Sequence, residues 1–241
     1  MKKKILITRK LLRENEDKLK KLFEVKFNEN DEIYSSDKII ELSKDCDGIL
    51  SAITDQFNKD LINKLSSSIK IIANYAVGYG NIDVNTAKER KIVVTNTPEV
   101  LDDSTADISI LLLLGASRKV LEARRAAERQ DWKWSADFML GKQMSNKRLG
   151  ILGMGRIGRA VAKRAKGFNM EIHYHNRNQL SKELEDGAIY HKTIKDLFNC
   201  SDFLSINCPA TKETNKIINK ETLAFLPDNV VIGNAARGDV I

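Results

Sequence analysis

Gly153, Gly155 and Gly158 stand in the spacing G-x-G-x-x-G, inside the run Leu149-Gly-Ile-Leu-Gly-Met-Gly-Arg-Ile-Gly158. The pattern alone is common. Here a short apolar segment (149–152) leads in and a helix-forming run, Arg159-Ala-Val-Ala-Lys-Arg-Ala165, leads out. Between a strand and a helix the three glycines do different things. The first permits a tight turn, the second lets a pyrophosphate approach the backbone, and the third lets the helix pack close to the sheet. The helix N-terminus then offers N–H groups and positive potential to phosphates. Gly153, Met154, Gly155, Arg156, Ile157 and Gly158 are therefore read together as a dinucleotide cradle.

An acidic residue about 20 residues further on usually holds the ribose hydroxyls of NAD. The second strand of this unit, Glu171-Ile-His-Tyr-His-Asn-Arg-Asn178, carries Asn176 at that place, followed by Arg177. A carboxylate there would repel a 2′-phosphate, whereas an arginine pairs with one. The sequence thus favours NADPH, with NADH still able to bind. His173 and His175 share a face of the same strand by alternation. With no third ligand evident beside them they read as structural or cofactor-adjacent, His191 reads as a strand-end residue, and no metal is expected.

These residues need a scaffold that brings strand ends together. Strand candidates at 4–8, 25–28, 48–52, 70–75 and 92–95 alternate with helical runs at 11–22, 36–42, 57–65 and 84–89. Pro98 marks a break, and one long helix is expected over 101–130. Strand candidates then resume at 149–152, 171–175, 189–191, 203–207 and 230–234. Short apolar strands alternating with helices imply parallel sheets covered on both faces. The expected fold class is α/β, with two doubly wound domains: a flavodoxin-like substrate domain (1–99) and a Rossmann cofactor domain (100–241). A full dinucleotide domain has six strands. Five candidates here imply a truncated cofactor domain whose last strand leaves an exposed hydrophobic edge.

Composition narrows the class. The 241 residues are 42% apolar and 30% charged, which suits a globular protein with a real core. The net charge of +7 comes from scattered lysines and arginines, and so does not suggest nucleic-acid binding. Cys46, Cys200 and Cys208 are widely spaced without a C-x-x-C, which argues against a disulfide framework or a zinc site. The apolar part of the start, Ile5 to Ile7, is too short for a signal-peptide core. The apolar stretch 108–116 is too short for a membrane span. A cytoplasmic protein is expected, with no membrane partner.

Several further segments, in order along the chain, resemble the D-isomer-specific 2-hydroxyacid dehydrogenases, and most closely the glyoxylate/hydroxypyruvate reductase branch, which includes 2-ketogluconate reductases. Asn74-Tyr-Ala-Val-Gly-Tyr-Gly-Asn-Ile-Asp83 resembles the family's substrate loop, where the amides matching Val77 and Gly78 receive the substrate carboxylate. Successive N–H groups in such a turn form an anion nest. Gly80 stands where many relatives carry aspartate. Ser51-Ala-Ile-Thr54 falls where the family's loop lines the substrate pocket, which makes Ile53 a candidate. Asn96-Thr-Pro-Glu-Val-Leu-Asp-Asp-Ser-Thr-Ala-Asp107 resembles the hinge and first cofactor-domain helix. There the residue matching Thr105 touches the cofactor, although an N-capping role explains it equally well. Asp131-Trp-Lys-Trp-Ser-Ala-Asp-Phe-Met-Leu-Gly141 resembles the dimer-forming segment, which implies a homodimer, while Trp132 and Trp134 read more simply as packing residues. Asn207-Cys-Pro-Ala-Thr-Lys-Glu-Thr214 is similar to the loop that walls the adenine, with Cys208, Pro209 and Thr214 as cofactor contacts. Asn234-Ala-Ala-Arg-Gly-Asp239 is similar to the segment whose arginine, here Arg237, binds the 2-oxo acid and polarises its carbonyl, with Ala235 beside the cofactor.

The resemblance implies reduction of a small 2-oxo acid. Val77, Gly78 and Arg237 would hold the substrate, and hydride would come from NADPH. It also implies a histidine, poised by a glutamate, downstream of the arginine. Neither is assigned here, and this polypeptide is expected to be a poor catalyst beside its intact parent. Two other readings stay open: an NAD-dependent dehydrogenase of the phosphoglycerate or lactate type, and a nucleotide-sensing corepressor-like relative that does no chemistry.

Overall fold

Among the described residues ten strands form two parallel sheets of five, one in each of two units, Met1–Val100 and Leu101–Ile241. The computed structural model describes residues 2–130 and 132–241.

The first unit runs β1 (Lys4–Ile7), α1 (Arg13–Leu22), β2 (Glu24–Lys26), α2 (Ser36–Ser43), β3 (Gly48–Ala52), α3 (Lys59–Lys64), β4 (Ile71–Tyr75), α4 (Val84–Glu89) and β5 (Val93–Thr95). Its sheet order is β2-β1-β3-β4-β5, the flavodoxin-like winding in which direction reverses between β1 and β3. Three helices start on side-chain caps: Ser35, Asn58 and Asp83 accept the N–H of Lys38, Leu61 and Thr86. Each cap satisfies a donor the helix cannot pair itself. Leu6, Ile49 and Ile72 are fully buried on the central strands and pack with Phe57, Leu61 and Ile62.

The second unit runs α5 (Asp102–Ser117), α6 (Val120–Arg129), β6 (Arg148–Leu152), α7 (Arg156–Ala165), β7 (Glu171–His175), α8 (Lys182–Glu185), β8 (Ile189–Tyr190), α9 (Ile194–Cys200), β9 (Phe203–Ile206), α10 (Lys220–Leu223) and β10 (Val231–Asn234). Its order is β10-β9-β6-β7-β8, so winding reverses between β6 and β9. Open α/β sheets bind ligands outside the strand ends at such a reversal.

The register puts the ends of four strands level. Leu152 pairs with His175 on β7 and with Ile206 on β9, and Ile206 pairs with Asn234 on β10. The residues just past those ends, Ala235, Asn207, Gly153 and Asn176, therefore follow one another across the sheet's C-terminal rim.

Two expectations are corrected here. The long helix over 101–130 is two helices. Lys119 takes a left-handed φ of 53°, and the Ser117 carbonyl accepts the Lys142 N–H at 2.8 Å, which ends the first helix. Gly141 is needed for that approach, because a Cβ there would collide with the Ser117 carbonyl oxygen. The last strand also exposes less apolar surface than expected. Val231 and Ile232 are half-buried and Gly233 is buried, since α5 packs over β10 with the Leu113 side chain against Gly233.

Candidate cofactor and substrate sites

The glycine turn joins β6 to α7. Gly153 has φ +96°, and a Cβ on it would lie 2.6 Å from the Cys208 nitrogen. Backbone conformation and the neighbouring loop both demand glycine there. A Cβ on Gly158 would strike the Gly153 carbonyl oxygen, whereas a Cβ on Gly155 meets nothing within 4 Å. The middle glycine thus borders open space at the start of α7, and no side chain caps that helix. Arg156 is exposed and Ile157 half-buried in its first turn. Met154 is 1% exposed and belongs to the core, so only its backbone belongs to the turn.

Asn176 Oδ1 accepts the Met154 N–H at 2.7 Å. An N–H can bond only to the amide oxygen, which turns the Asn176 NH2 group, a donor, away from the turn. Arg177 is exposed beside it. Its charge, together with hydrogen bonds from the Thr211 hydroxyl and its own backbone, holds the Glu213 carboxyl below its ordinary range, with the Thr211 bond the largest cause.

Thr105 and Ala235 line one cleft of about 370 Å³ with Ser104, Ile108, Leu112 and Asn234. Thr105 does not cap α5, which begins three residues earlier without a side-chain cap. The Asn207 side chain donates to Ser205 Oγ at 2.9 Å, while its buried Oδ1 has no partner among the described residues. A buried acceptor without a donor is costly, and at the strand reversal a ligand hydroxyl would satisfy it. With the open face at Gly155, this makes the rim a fit for a dinucleotide. Cys208 packs its side chain into the core with Leu152, Ile206 and Val240, so its backbone rather than its thiol abuts the turn. Burial pushes that thiol's pKa up. Pro209 is exposed, and its carbonyl accepts the Thr214 hydroxyl at 2.6 Å, so Thr214 shapes this loop.

Arg237 lies three residues past β10. Asn234 clamps the segment, donating to the Arg237 carbonyl at 2.8 Å and accepting the Ala236 N–H at 2.9 Å. The guanidinium is exposed and, among the described residues, bonds only the Ala236 carbonyl, at 2.9 Å. Among the described residues no carboxylate pairs with it, so it is not a structural ion-pair partner.

In the first unit Val77 and Gly78 follow β4. Thr97 N–H bonds the Ala76 carbonyl at 3.0 Å. Asn96 Nδ2 donates to the Val77 carbonyl at 2.8 Å, and Asn74 Nδ2 to the Gly78 carbonyl at 3.0 Å. In a trans peptide the N–H points opposite the preceding carbonyl. The Val77 and Gly78 N–H groups therefore both point away from residues 96 and 97, and neither donates within the described residues. Asn74 is itself buried and held by Ser51 and Asn81. Ile53, 41% exposed, sits in the turn after β3, which Asp55 closes by accepting the Ala52 N–H at 2.8 Å. Gly80 has open space where a Cβ would stand.

The clamps Asn74, Asn96 and Asn234, and the orphaned Asn207, are missing from the sequence-derived site. Their signal is faint: an asparagine at a parallel strand's C-terminal end. The histidines lie along β7 and just past β8, at the opposite edge of the sheet from β10 and Arg237. The third group absent beside them in the sequence is Cys200, which α9 brings in. The dimer-like segment begins at Asp131, outside the described residues. Trp132 stacks on Phe138 with centroids 5.6 Å apart. Trp134 is 81% exposed, so it does not pack into the core of its own unit.

A glycine turn and an uncapped helix at the winding reversal of a parallel sheet define a dinucleotide-binding protein. Residues 110–241 match the family model of the D-isomer specific 2-hydroxyacid dehydrogenase NAD binding domain. The chain is 38% identical over 247 residues to a glyoxylate reductase of Pyrococcus furiosus, with 100% of this chain and 73% of that protein covered. It is 35% identical over 243 residues to a glycerate dehydrogenase of Hyphomicrobium methylovorum, covering 100% and 76%. Among solved structures, an NADPH-dependent glyoxylate/hydroxypyruvate reductase from Sinorhizobium meliloti, in complex with NADP and malonate, matches with a TM-score of 0.87 at 30% identity, covering 100% of this chain and 73% of that one. The chain belongs to the D-isomer-specific 2-hydroxyacid dehydrogenase family and is an NAD(P)-dependent oxidoreductase acting on CH–OH groups. Among the described residues no helix is long and apolar enough to cross a membrane.

Proposed function

We propose that the protein reduces a small 2-oxo acid of the glyoxylate or hydroxypyruvate type to the D-2-hydroxy acid, with NADPH preferred to NADH. Residues 1–99 serve as substrate domain and 100–241 as cofactor domain. The observation that carries the reading is the orientation of Asn176. With its oxygen on the Met154 N–H, it offers a donor where NAD-specific units offer a carboxylate, and Arg177 adds a cation. Both suit a 2′-phosphate.

When bound, the reduced nicotinamide supplies hydride to the carbonyl carbon. The Val77 and Gly78 N–H groups receive the substrate carboxylate, and Ile53 gives the pocket apolar surface. Arg237 meets the carbonyl oxygen, where negative charge develops. A guanidinium that is always charged and has no competing carboxylate suits that task. Thr105, Pro209, Thr214 and Ala235 border the cofactor. The stacked Trp132 and Phe138, with exposed Trp134 and Leu140, support a homodimer through this segment.

Fluorescence titration of the protein with each reduced dinucleotide tests the cofactor preference. NADPH is expected to bind at least tenfold more tightly, and tighter binding of NADH would overturn the proposal.

A further inference from the structure

At the β7–β8 edge of the second unit, three ligand atoms from three elements converge. His173 Nδ1, His191 Nε2 and Cys200 Sγ all lie within 4.8 Å of one another. We propose that these three atoms form a site for a divalent transition metal, with Zn²⁺ the ion the ligand set suits best.

The geometry prepares each ligand. His173 is 6% exposed, and its Nε2 lies 2.5 Å from Glu171 Oε1. A carboxylate only accepts, so Nε2 carries the proton and the Nδ1 lone pair faces inward. A carboxylate behind a histidine is the arrangement that orients metal-binding imidazoles and makes them more basic. His191 is anchored through its main chain: its N–H bonds the Tyr174 carbonyl at 2.8 Å and its carbonyl accepts from His175 Nδ1 at 2.9 Å. Cys200 closes α9 with its thiol on the Leu197 carbonyl at 3.1 Å.

Two of the three distances are close to those of a coordination shell, and the third, from His173 Nδ1 to Cys200 Sγ, lies within 4.8 Å. Bonds of about 2.05 Å to nitrogen and 2.3 Å to sulfur in a tetrahedron put N and S roughly 3.6 Å apart and two nitrogens roughly 3.3 Å apart. Cys200 Sγ is 3.6 Å from His191 Nε2. His173 Nδ1 is 2.8 Å from His191 Nε2, so the two rings must part by about half an ångström. Without metal, the His191 Nε2 proton occupies that gap as a hydrogen bond to His173. Binding shifts this proton to the other nitrogen of the same ring, His191 Nδ1, and releases the Cys200 proton to solvent, and the Sγ–metal bond forms as the S–H bond breaks. The dication is then balanced by the Cys200 thiolate and the Glu171 carboxylate. Two imidazoles and a thiolate select Zn²⁺ or Co²⁺ over Mg²⁺ or Ca²⁺. His191 and Cys200 are half-buried, which leaves water access to a fourth position.

The site joins β7, the end of β8 and α9. Two residues past His173, the His175 carbonyl accepts the Gly153 N–H at 3.0 Å. The metal would therefore be a structural staple behind the glycine turn, remote from Arg237 at the other edge of the sheet.

Co²⁺ titration of the chelator-treated full chain tests this. The expected result is one equivalent bound, with an intense thiolate-to-cobalt charge-transfer band that Zn²⁺ displaces. Cys200→Ser should abolish the band, whereas Cys46→Ser and Cys208→Ser should keep it. Glu171→Gln should weaken binding about tenfold while leaving the band in place. If Cys200→Ser does not fold, His191→Gln must show the same loss of affinity. The proposal is overturned if the unmodified protein shows no such band at stoichiometric Co²⁺, or if the band survives Cys200→Ser undiminished.

Discussion

Asn176 Oδ1 accepts the Met154 N–H at 2.7 Å, which ties the C-terminal end of β7 to the glycine turn and fixes which face of the amide looks outward. Aspartate has nearly the same shape. Asn176→Asp should keep the bond to Met154 but present a carboxylate oxygen where the NH2 group now donates. NADPH binding should weaken at least tenfold, about 1.4 kcal/mol, while NADH binding tightens. Equal effects on the two dinucleotides, read by fluorescence titration, would separate Asn176 from cofactor choice.

The glycine turn allows a contrast between folding and binding. Gly155→Ala adds a methyl to open space, so the melting temperature should hold while affinity for either dinucleotide drops at least tenfold. Gly153→Ala puts a side chain at φ +96° and 2.6 Å from the Cys208 nitrogen. It should lower the melting temperature as well, because a left-handed L-residue costs roughly 1–2 kcal/mol before any collision. A Gly155→Ala protein that binds normally would mean that phosphates do not approach at that residue.

The strands were legible because each is a short apolar run closed by a polar or glycine-rich stop. Those at 48–52 and 171–175 match residue for residue. The helix break at Lys119 was not, since nothing local in Ser117-Arg-Lys-Val120 forbids a helix. A carbonyl claimed by Lys142, far along the chain, decides it. The same holds at the sites. The glycine spacing is local and carries its own reason. The clamps at Asn74, Asn96 and Asn234 depend on which carbonyl a tertiary turn leaves unpaired. Cys200 joins His173 and His191 only because α9 packs back on the sheet.

The anion nest proposed at Val77 and Gly78 would depend on the Asn96 side chain, which holds the Val77 carbonyl. Asn96→Ala releases the Val77 carbonyl, so the peptide plane that carries the Gly78 N–H should lose its fixed orientation. Binding of oxamate, an unreactive 2-oxo acid analogue, to the protein saturated with NADPH should weaken about tenfold for Asn96→Ala. Arg237→Ala should cost more, about 1.5–3 kcal/mol for a charged hydrogen bond, and Arg237→Lys should restore only part, because an ammonium lacks the planar fork. Calorimetric titration gives the order. An Asn96→Ala protein that binds oxamate as the unmodified protein does would remove the clamp from the argument.

Part of the acid stability of the first unit should follow Asp31, alongside Asp45 and Asp47, which lysine hydrogen bonds shift the same way. Hydrogen bonds from the Arg9 side chain, and then from the Lys10 N–H, bring its carboxyl from the ordinary 3.8 down to about 2. The folded value lies below the unfolded one, so this contribution is complete above about pH 4 and is lost as the pH falls through about 2. In the second unit Asp202 is shifted the same way, first by the Arg148 side chain at 3.0 Å. Asp31→Asn should therefore be less stable than the unmodified protein near neutral pH, and the gap should start to close below about pH 4. Urea midpoints across that range measure it. A gap that stays constant down to pH 3 would show that the Asp31 carboxyl titrates alike in the folded and unfolded chain, and would remove the Arg9 pairing as a source of pH-dependent stability.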